Sequence, residues 1–252
     1  MKPEFYIGTS GWSYNHWKGI FYPENLPQKR WLSFYSGSFN TVEVNMTFYR
    51  FPRESVVLNW AERTPGDFLF TFKAPKVITH VRRLIDIEKP LCRFYDLLDL
   101  LGNRGRTLLF QMPPSFHLSA ENMKRVESLL GLLDDKYHHV IEFRDKSWWC
   151  REAEDLLRGR CGFCSVSGLD MPGDIVAAVD SIYMRLHGGH YNLLYGEDEL
   201  QVYAGRLFRA ACENGTKRVY IYFNNDYNGY AVKNALAMKN LLDTMVQQST
   251  SI

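Results

Sequence analysis

The chain has 252 residues, 46% hydrophobic, 23% charged and 15% aromatic, which excludes both a disordered polymer and a mini-protein that depends on staples. Thirty Lys and Arg against 28 Asp and Glu leave a formal charge of +2, so no global field draws the chain to nucleic acid or an anionic membrane, and any polyanion site has to be local. No run approaches the length of a bilayer span, about 20 apolar residues. The N-terminus lacks a signal-peptide apolar region, and a soluble cytoplasmic protein is expected.

Eight β-rich runs follow one another: Phe5–Ser10 (β1), Thr41–Met46 (β2), Phe68–Lys73 (β3), Thr107–Met112 (β4), Val140–Arg144 (β5), Gly162–Ser167 (β6), Ile182–His187 (β7) and Arg218–Asn224 (β8). Between most of them the apolar positions recur at helical spacing, which predicts helices over Lys29–Tyr35, Glu54–Glu62, Glu88–Leu101, Ala120–Leu133, Glu152–Arg158, Glu197–Glu213 and Ala231–Val246. Ser119 reads as a helix start and Asn214-Gly215 as a stop. The link Gly168–Asp180, with Met171-Pro172-Gly173, is too short for a full helix between β6 and β7. Each unit averages about 31 residues, and the total matches a minimal closed (β/α)8 barrel of the TIM type, an α/β fold, as one domain over residues 1–252.

An open doubly wound sheet is the competing architecture, and it would carry a glycine-rich nucleotide loop after its first strand. Here β1 leads into Thr9-Ser10-Gly11-Trp12-Ser13-Tyr14, which is neither G-x-G-x-x-G nor a P-loop, so no cofactor is expected. Five scattered cysteines argue against a disulfide framework. Cys161 and Cys164 flank the start of a strand, where positions three apart face opposite sides, so they read as small buried residues rather than a redox pair.

Strand parity points to the candidate site. Glu43 and Asn45 share one face of β2, Thr71 and Lys73 one face of β3, Glu142 and Arg144 one face of β5, and Arg185 and His187 one face of β7, each set alternating with apolar residues. In a barrel strand covered by helices the apolar set belongs against the helices, which sends the polar set inward, toward the C-terminal mouth where this architecture places chemistry. Buried charges have to be paired, and three bases against two acids leave one positive charge for an anionic ligand. The alternative is a structural ion-pair plug.

The loops at the same end are rich in aromatics: Trp12, Tyr14, Trp17, Phe48, Tyr49, Phe116, Trp148, Trp149, Tyr191, Tyr195, Tyr227 and Tyr230. Each one taken singly suits packing under a loop, but as a set they predict that two or three line a ligand. His80, His187 and His190 show no metal-ligand spacing, and no metal is expected.

The blocks Gly8-Thr9-Ser10-Gly11-Trp12-Ser13-Tyr14, Thr41-Val42-Glu43-Val44-Asn45, Phe48-Tyr49-Arg50, Phe72-Lys73-Ala74-Pro75, Phe110-Gln111-Met112-Pro113-Pro114, Glu142-Phe143-Arg144, Ser147-Trp148, Arg185-Leu186-His187-Gly188 and Tyr222-Phe223-Asn224-Asn225-Asp226 resemble the YecE-like proteins, a family of TIM-barrel domains of unknown function. The resemblance runs from Tyr6 to about Ala235 and implies the barrel, without a reaction. Met46 departs from the family's small polar residue, and Cys161 and Cys164 fall outside its pattern.

Taken together, the sequence predicts a metal-independent acid–base enzyme, of hydrolase or lyase type, acting on a small polar, anionic or sugar-like substrate. Glu43 and Glu142 are the candidate acid and base in unassigned order, and His187 a proton shuttle. Lys73, Arg144 and Arg185 would clamp an anion; Asn45, Gln111, Asn224, Asn225 and Asp226 would orient the substrate; and Trp12, Tyr14 and Trp148 would wall the site. A glycoside hydrolase is one instance. The rival readings are a nucleic-acid binder or nuclease-like barrel using Arg82, Arg83, Arg104 and Arg106, and a non-catalytic metabolite sensor. Oligomeric state is left open.

Overall fold

A computed structural model describes residues 2–178, 180–188 and 194–249. Eight parallel strands form the barrel: β1 Glu4–Thr9, β2 Thr41–Val44, β3 Leu69–Lys73, β4 Thr107–Gln111, β5 His138–Glu142, β6 Gly162–Ser167, β7 Ser181–Leu186 and β8 Arg218–Phe223. Pairing runs in register from β2 through β3, β4, β5, β6, β7 and β8 to β1. Helices α1 (Trp31–Tyr35), α3 (Glu54–Glu62), α4 (Glu88–Asp99), α5 (Ala120–Leu132), α6 (Arg151–Leu157), α7 (Glu197–Glu213) and α8 (Tyr230–Gln248) fall where apolar periodicity predicts them. Ser119 caps α5, its hydroxyl accepting from the Asn122 amide at 3.2 Å. Among the described residues between β6 and β7 there is no helix but a two-residue strand, Ala177–Ala178, antiparallel to the start of β7. The one-turn helix α2 (Met46–Tyr49) and a π-helical turn at Val77–Val81 have no periodicity to betray them.

Alternation along the strands builds two cores. Val42, Val44, Phe70, Phe72, Leu108, Phe110, Ile141 and Phe143 pack outward with Leu91, Phe94, Val126, Leu129, Leu207 and Met238 from the helices. Inside the barrel, Leu109, Val140, Cys164, Val166, Tyr183, Tyr220 and Tyr222 form a separate cluster. Thr41 and Thr71 each place a hydroxyl 2.7 Å from that of Tyr222, so the interior below the mouth is closed and hydrogen-bonded. Cys161 lies in the outer core and Cys164 in the inner one, and burial pushes both thiols up, which leaves no thiolate pair for redox chemistry.

The barrel closes between β1 and β2 through a single bridge, Ser10 with Glu43, and side chains complete the seam. The Thr9 amide donates to the Tyr35 hydroxyl at 2.9 Å, which donates to the Thr41 carbonyl at 3.2 Å. Asn40 accepts from the Ile7 amide at 3.2 Å and donates to the Phe5 carbonyl at 3.0 Å. Gly8 is what lets the strands approach: a Cβ there would lie 2.3 Å from the Thr41 carbonyl oxygen and 2.9 Å from the Tyr35 hydroxyl. Gly8→Ala is therefore expected to cost about 3 kcal/mol, because backbone rather than a flexible side chain must yield. Urea unfolding checks this, and a midpoint equal to wild type would contradict it.

Candidate functional site

At the C-terminal end the inward side chains turn from apolar to charged. Arg185, 1% exposed, lies between two carboxylates that are fully buried: its Nη2 donates to Glu43 Oε1 at 2.8 Å and its Nη1 to Glu142 Oε2 at 2.7 Å. Every carboxylate oxygen is occupied. Glu43 Oε1 also accepts from the Ser10 hydroxyl at 2.9 Å, Glu43 Oε2 accepts from Tyr183 at 2.7 Å, and Glu142 Oε1 accepts from Arg144 Nε. Burial alone would push the Glu142 carboxyl up, but the guanidiniums of Arg144 and Arg185 outweigh it and hold the group well below the usual carboxylate range. The same carboxylates hold Arg185 charged against its own burial.

This geometry corrects the expected division of labour. Glu142 is held ionised and donates no proton near neutrality, and each carboxylate oxygen of the two glutamates already accepts at least one hydrogen bond. Arg185 fills the space between them, where a glycosidic oxygen or attacking water would have to sit, so the glycoside hydrolase instance does not fit. The carboxylates position Arg185. Ser10 and Tyr183, which complete Glu43's shell, share the inward parity of β1 and β7, and that was the sequence signal for them.

Above this layer, Arg144 reaches from Glu142 to His187, its Nη2 lying 3.3 Å from His187 Nε2. Because a guanidinium only donates, His187 Nε2 is the acceptor of that contact, and Asn224 Nδ2 stands 3.0 Å from His187 Nδ1. Burial, then Arg185 and Arg144, keep the imidazole well below its ordinary pKa and hence neutral. Gly168 lets the β6 loop pass here: its φ is +84°, and a Cβ would lie 2.2 Å from the Gly188 carbonyl oxygen.

Lys73 ends β3 at the same mouth, half-buried. Among the described residues no carboxylate lies within ion-pair distance of its Nζ, which instead stands 4.2 Å from the centre of the Phe48 ring. His80 meets Phe48 edge-on at 4.8 Å. Burial, followed by the nearby Arg185, brings the Lys73 amine down to about 8 despite the opposing pull of Glu142 and Glu43.

Other predicted residues divide. Trp12, Tyr14 and Asn45 line a cleft of about 340 Å³ with Met46, Val56 and Trp60, and Asn45 Oδ1 there is buried without a partner among the described residues. Gln111 is buried, its amide donating to the Met112 carbonyl at 2.7 Å. Trp148 does not wall the mouth: it stacks at 4.1 Å on Phe143, a helix-facing residue, and its Nε1 donates to the Phe116 carbonyl at 2.7 Å. Asn225 turns to Asn234, donating at 2.9 Å, and so fastens α8 rather than a ligand. Asp226 holds the β1 loop, its carbonyl accepting from Trp17 Nε1 at 3.0 Å. His190 and Tyr191 lie outside the described residues.

A larger cavity, about 620 Å³, opens at the opposite end of the barrel and is lined by Arg104, Arg160, Lys136, His138, Asp180 and others. Its polar groups are largely committed: Arg104 to the Ala61 carbonyl, Arg160 to that of Leu130, Lys136 to Asp99 and Asp180 to Lys217. His138 is neutral there, burial lowering its pKa to about 4. Chemistry therefore points to the mouth despite the greater volume below. Arg104 and Arg106 line that lower cavity, while in the loop after β3 Arg82 donates to the Asp86 carbonyl and Arg83 to Ser115 of the loop after β4, so the four arginines form no single track.

The comparisons agree with this barrel. The family model described as "Protein of unknown function DUF72" matches residues 6–251. The chain belongs to this family. The YecE protein of Escherichia coli K12 is 28% identical over 155 residues, covering 62% of this chain and 54% of that protein, so the match spans about half of that relative. The YunF protein of Bacillus subtilis is 26% identical, with 94% of each chain covered. Among solved structures, a DUF72 family protein of Thermotoga maritima superposes with a TM-score of 0.82 at 30% identity, covering 95% of this chain and 99% of that one. Among the described residues no helix is long and apolar enough to cross a membrane.

Proposed function

We propose that this DUF72 protein is an enzyme whose barrel mouth binds a small anionic metabolite and works on it by proton transfer. The observation that carries the reading is the charge balance of the mouth. Glu43 and Glu142 are matched by Arg185 and Arg144 at contact distance, and among the described residues no carboxylate contacts the Lys73 ammonium. A half-buried cation without a contact partner is costly, and a ligand carboxylate or phosphate would supply the missing charge. Arg144, 16% exposed in its side chain, offers the ligand a second cation. The lowered Lys73 amine is the group able to give up and take back a proton near neutral pH, while His187 stays neutral and accepts from Arg144. The Glu43–Arg185–Glu142 chain holds the floor rigid beneath them.

Thermal-shift measurements at low ionic strength with small carboxylates, phosphates, sugar phosphates and the matching neutral sugars test the reading. An anion at one hundred times its dissociation constant is expected to add about 2.7 kcal/mol of stability, while the neutral sugar adds none. Equal shifts from neutral sugars, or shifts from oligonucleotides alone, would contradict it.

A further inference from the structure

We propose that Lys73 is a nucleophilic amine that forms an imine with a small carbonyl compound bearing a carboxylate or phosphate. The inference rests on the anion site above and names the chemistry of that site's ligand.

Among the described residues the mouth holds few nucleophiles, and those besides Lys73 are occupied. The Ser10 hydroxyl donates to Glu43, the Tyr14 hydroxyl to the Ser10 carbonyl at 2.5 Å, and the Cys164 sulfur is buried in the cluster beneath. Lys73 presents a primary amine at the ligand level with no acceptor within contact distance among the described residues. The peptide group that follows it is fixed at both ends: the Lys73 carbonyl accepts from the Thr47 hydroxyl at 2.7 Å, and the Ala74 amide donates to the Leu109 carbonyl at 2.8 Å. The one-turn helix α2 supplies both Thr47 and the Phe48 ring against which Nζ rests. Burial, followed by the neighbouring Arg185, favours the neutral amine that carbonyl addition requires. The anionic substituent of the ligand would pair with Arg144, bringing the carbonyl carbon to Nζ.

The step balances without a redox partner. The amine lone pair adds to the carbonyl carbon, the C–O π pair goes to oxygen, and loss of that oxygen as water, with both protons from nitrogen, leaves the C=N bond.

The test is reductive trapping on the full chain. Glyoxylate, glycolaldehyde phosphate and uncharged glycolaldehyde are each incubated with the protein and cyanoborohydride at pH 7.5, and the modified lysines are mapped by mass spectrometry. The two anionic aldehydes are expected to label Lys73 roughly a hundredfold faster than exposed Lys124, with saturation, and to be blocked by inorganic phosphate. The uncharged aldehyde is expected to show no saturation. Labelling of Lys73 no faster than of Lys124 overturns the imine. If phosphate still raises the melting temperature of wild type but not of Lys73→Met, the anion site stands and the imine alone fails; if it raises neither, both readings fall.

Discussion

Arg185→Met is expected to lower the melting temperature on the order of 10 °C. Removing one partner of a buried ion pair costs roughly 3–5 kcal/mol, because the remaining charge keeps its desolvation penalty and loses its compensation. Here one guanidinium serves two carboxylates, both fully buried, and only Glu142 retains a second cation, Arg144. In a chain of this size each kcal/mol moves the midpoint by about 2–4 °C. The decisive control neutralises the partners as well. The triple variant Glu43→Gln, Glu142→Gln, Arg185→Met is expected to recover at least about half of the loss, since what hurts is an uncompensated charge rather than the absence of a bond. Calorimetry checks both variants. A single variant within about 2 °C of wild type would mean that the chain of ion pairs does not hold the mouth.

Lys73→Met is expected to have the opposite sign. Methionine keeps an apolar stem against Phe48 and removes a half-buried charge that no carboxylate contacts among the described residues. The gain is of order 1–2 kcal/mol at pH 7, allowing for the partial exposure of the group. Because the Lys73 amine titrates near 8 in the folded protein and near 10.5 when unfolded, the unfolded chain binds more protons between these values. Wild-type stability therefore rises with pH across this window relative to the variant. The advantage of Lys73→Met is largest below pH 8 and shrinks toward pH 10.5. The same substitution is expected to abolish stabilisation by small anions, which is the usual exchange of stability for function at a binding site. Denaturant midpoints from pH 7 to 10.5, with and without phosphate, check both halves.

Much of this site was legible from alternation alone, because a barrel strand has two faces and only one can meet the helices. That rule sent Glu43, Lys73, Glu142 and Arg185 inward, and their charges meet at one level of the mouth. Partner identity was not legible. Whether Arg185 reaches Glu43 or Glu142, or both, depends on register across the barrel, which no local pattern encodes. The glutamates were accordingly expected as acid and base when the fold uses them to grip an arginine. Loop residues failed for a different reason. Trp148 and Asn225 sit beside the mouth in sequence, but a tryptophan finds a stacking partner in the outer core and a buried asparagine a second asparagine, and nothing in a loop's sequence fixes which way it turns. The seam between β1 and β2 was likewise invisible: Tyr35 and Asn40 read as helix end and loop, yet they replace the missing ladder.

The most direct measurement is an NMR titration of the Lys73 side chain in protein labelled at the lysine ε-carbons, assigned by comparison with Lys73→Met. The account predicts a midpoint near 8 in the free protein that moves upward when phosphate is added, as a counter-ion arrives beside the ammonium. A midpoint near that of a free lysine, about 10.4, unmoved by any anion, would contradict it.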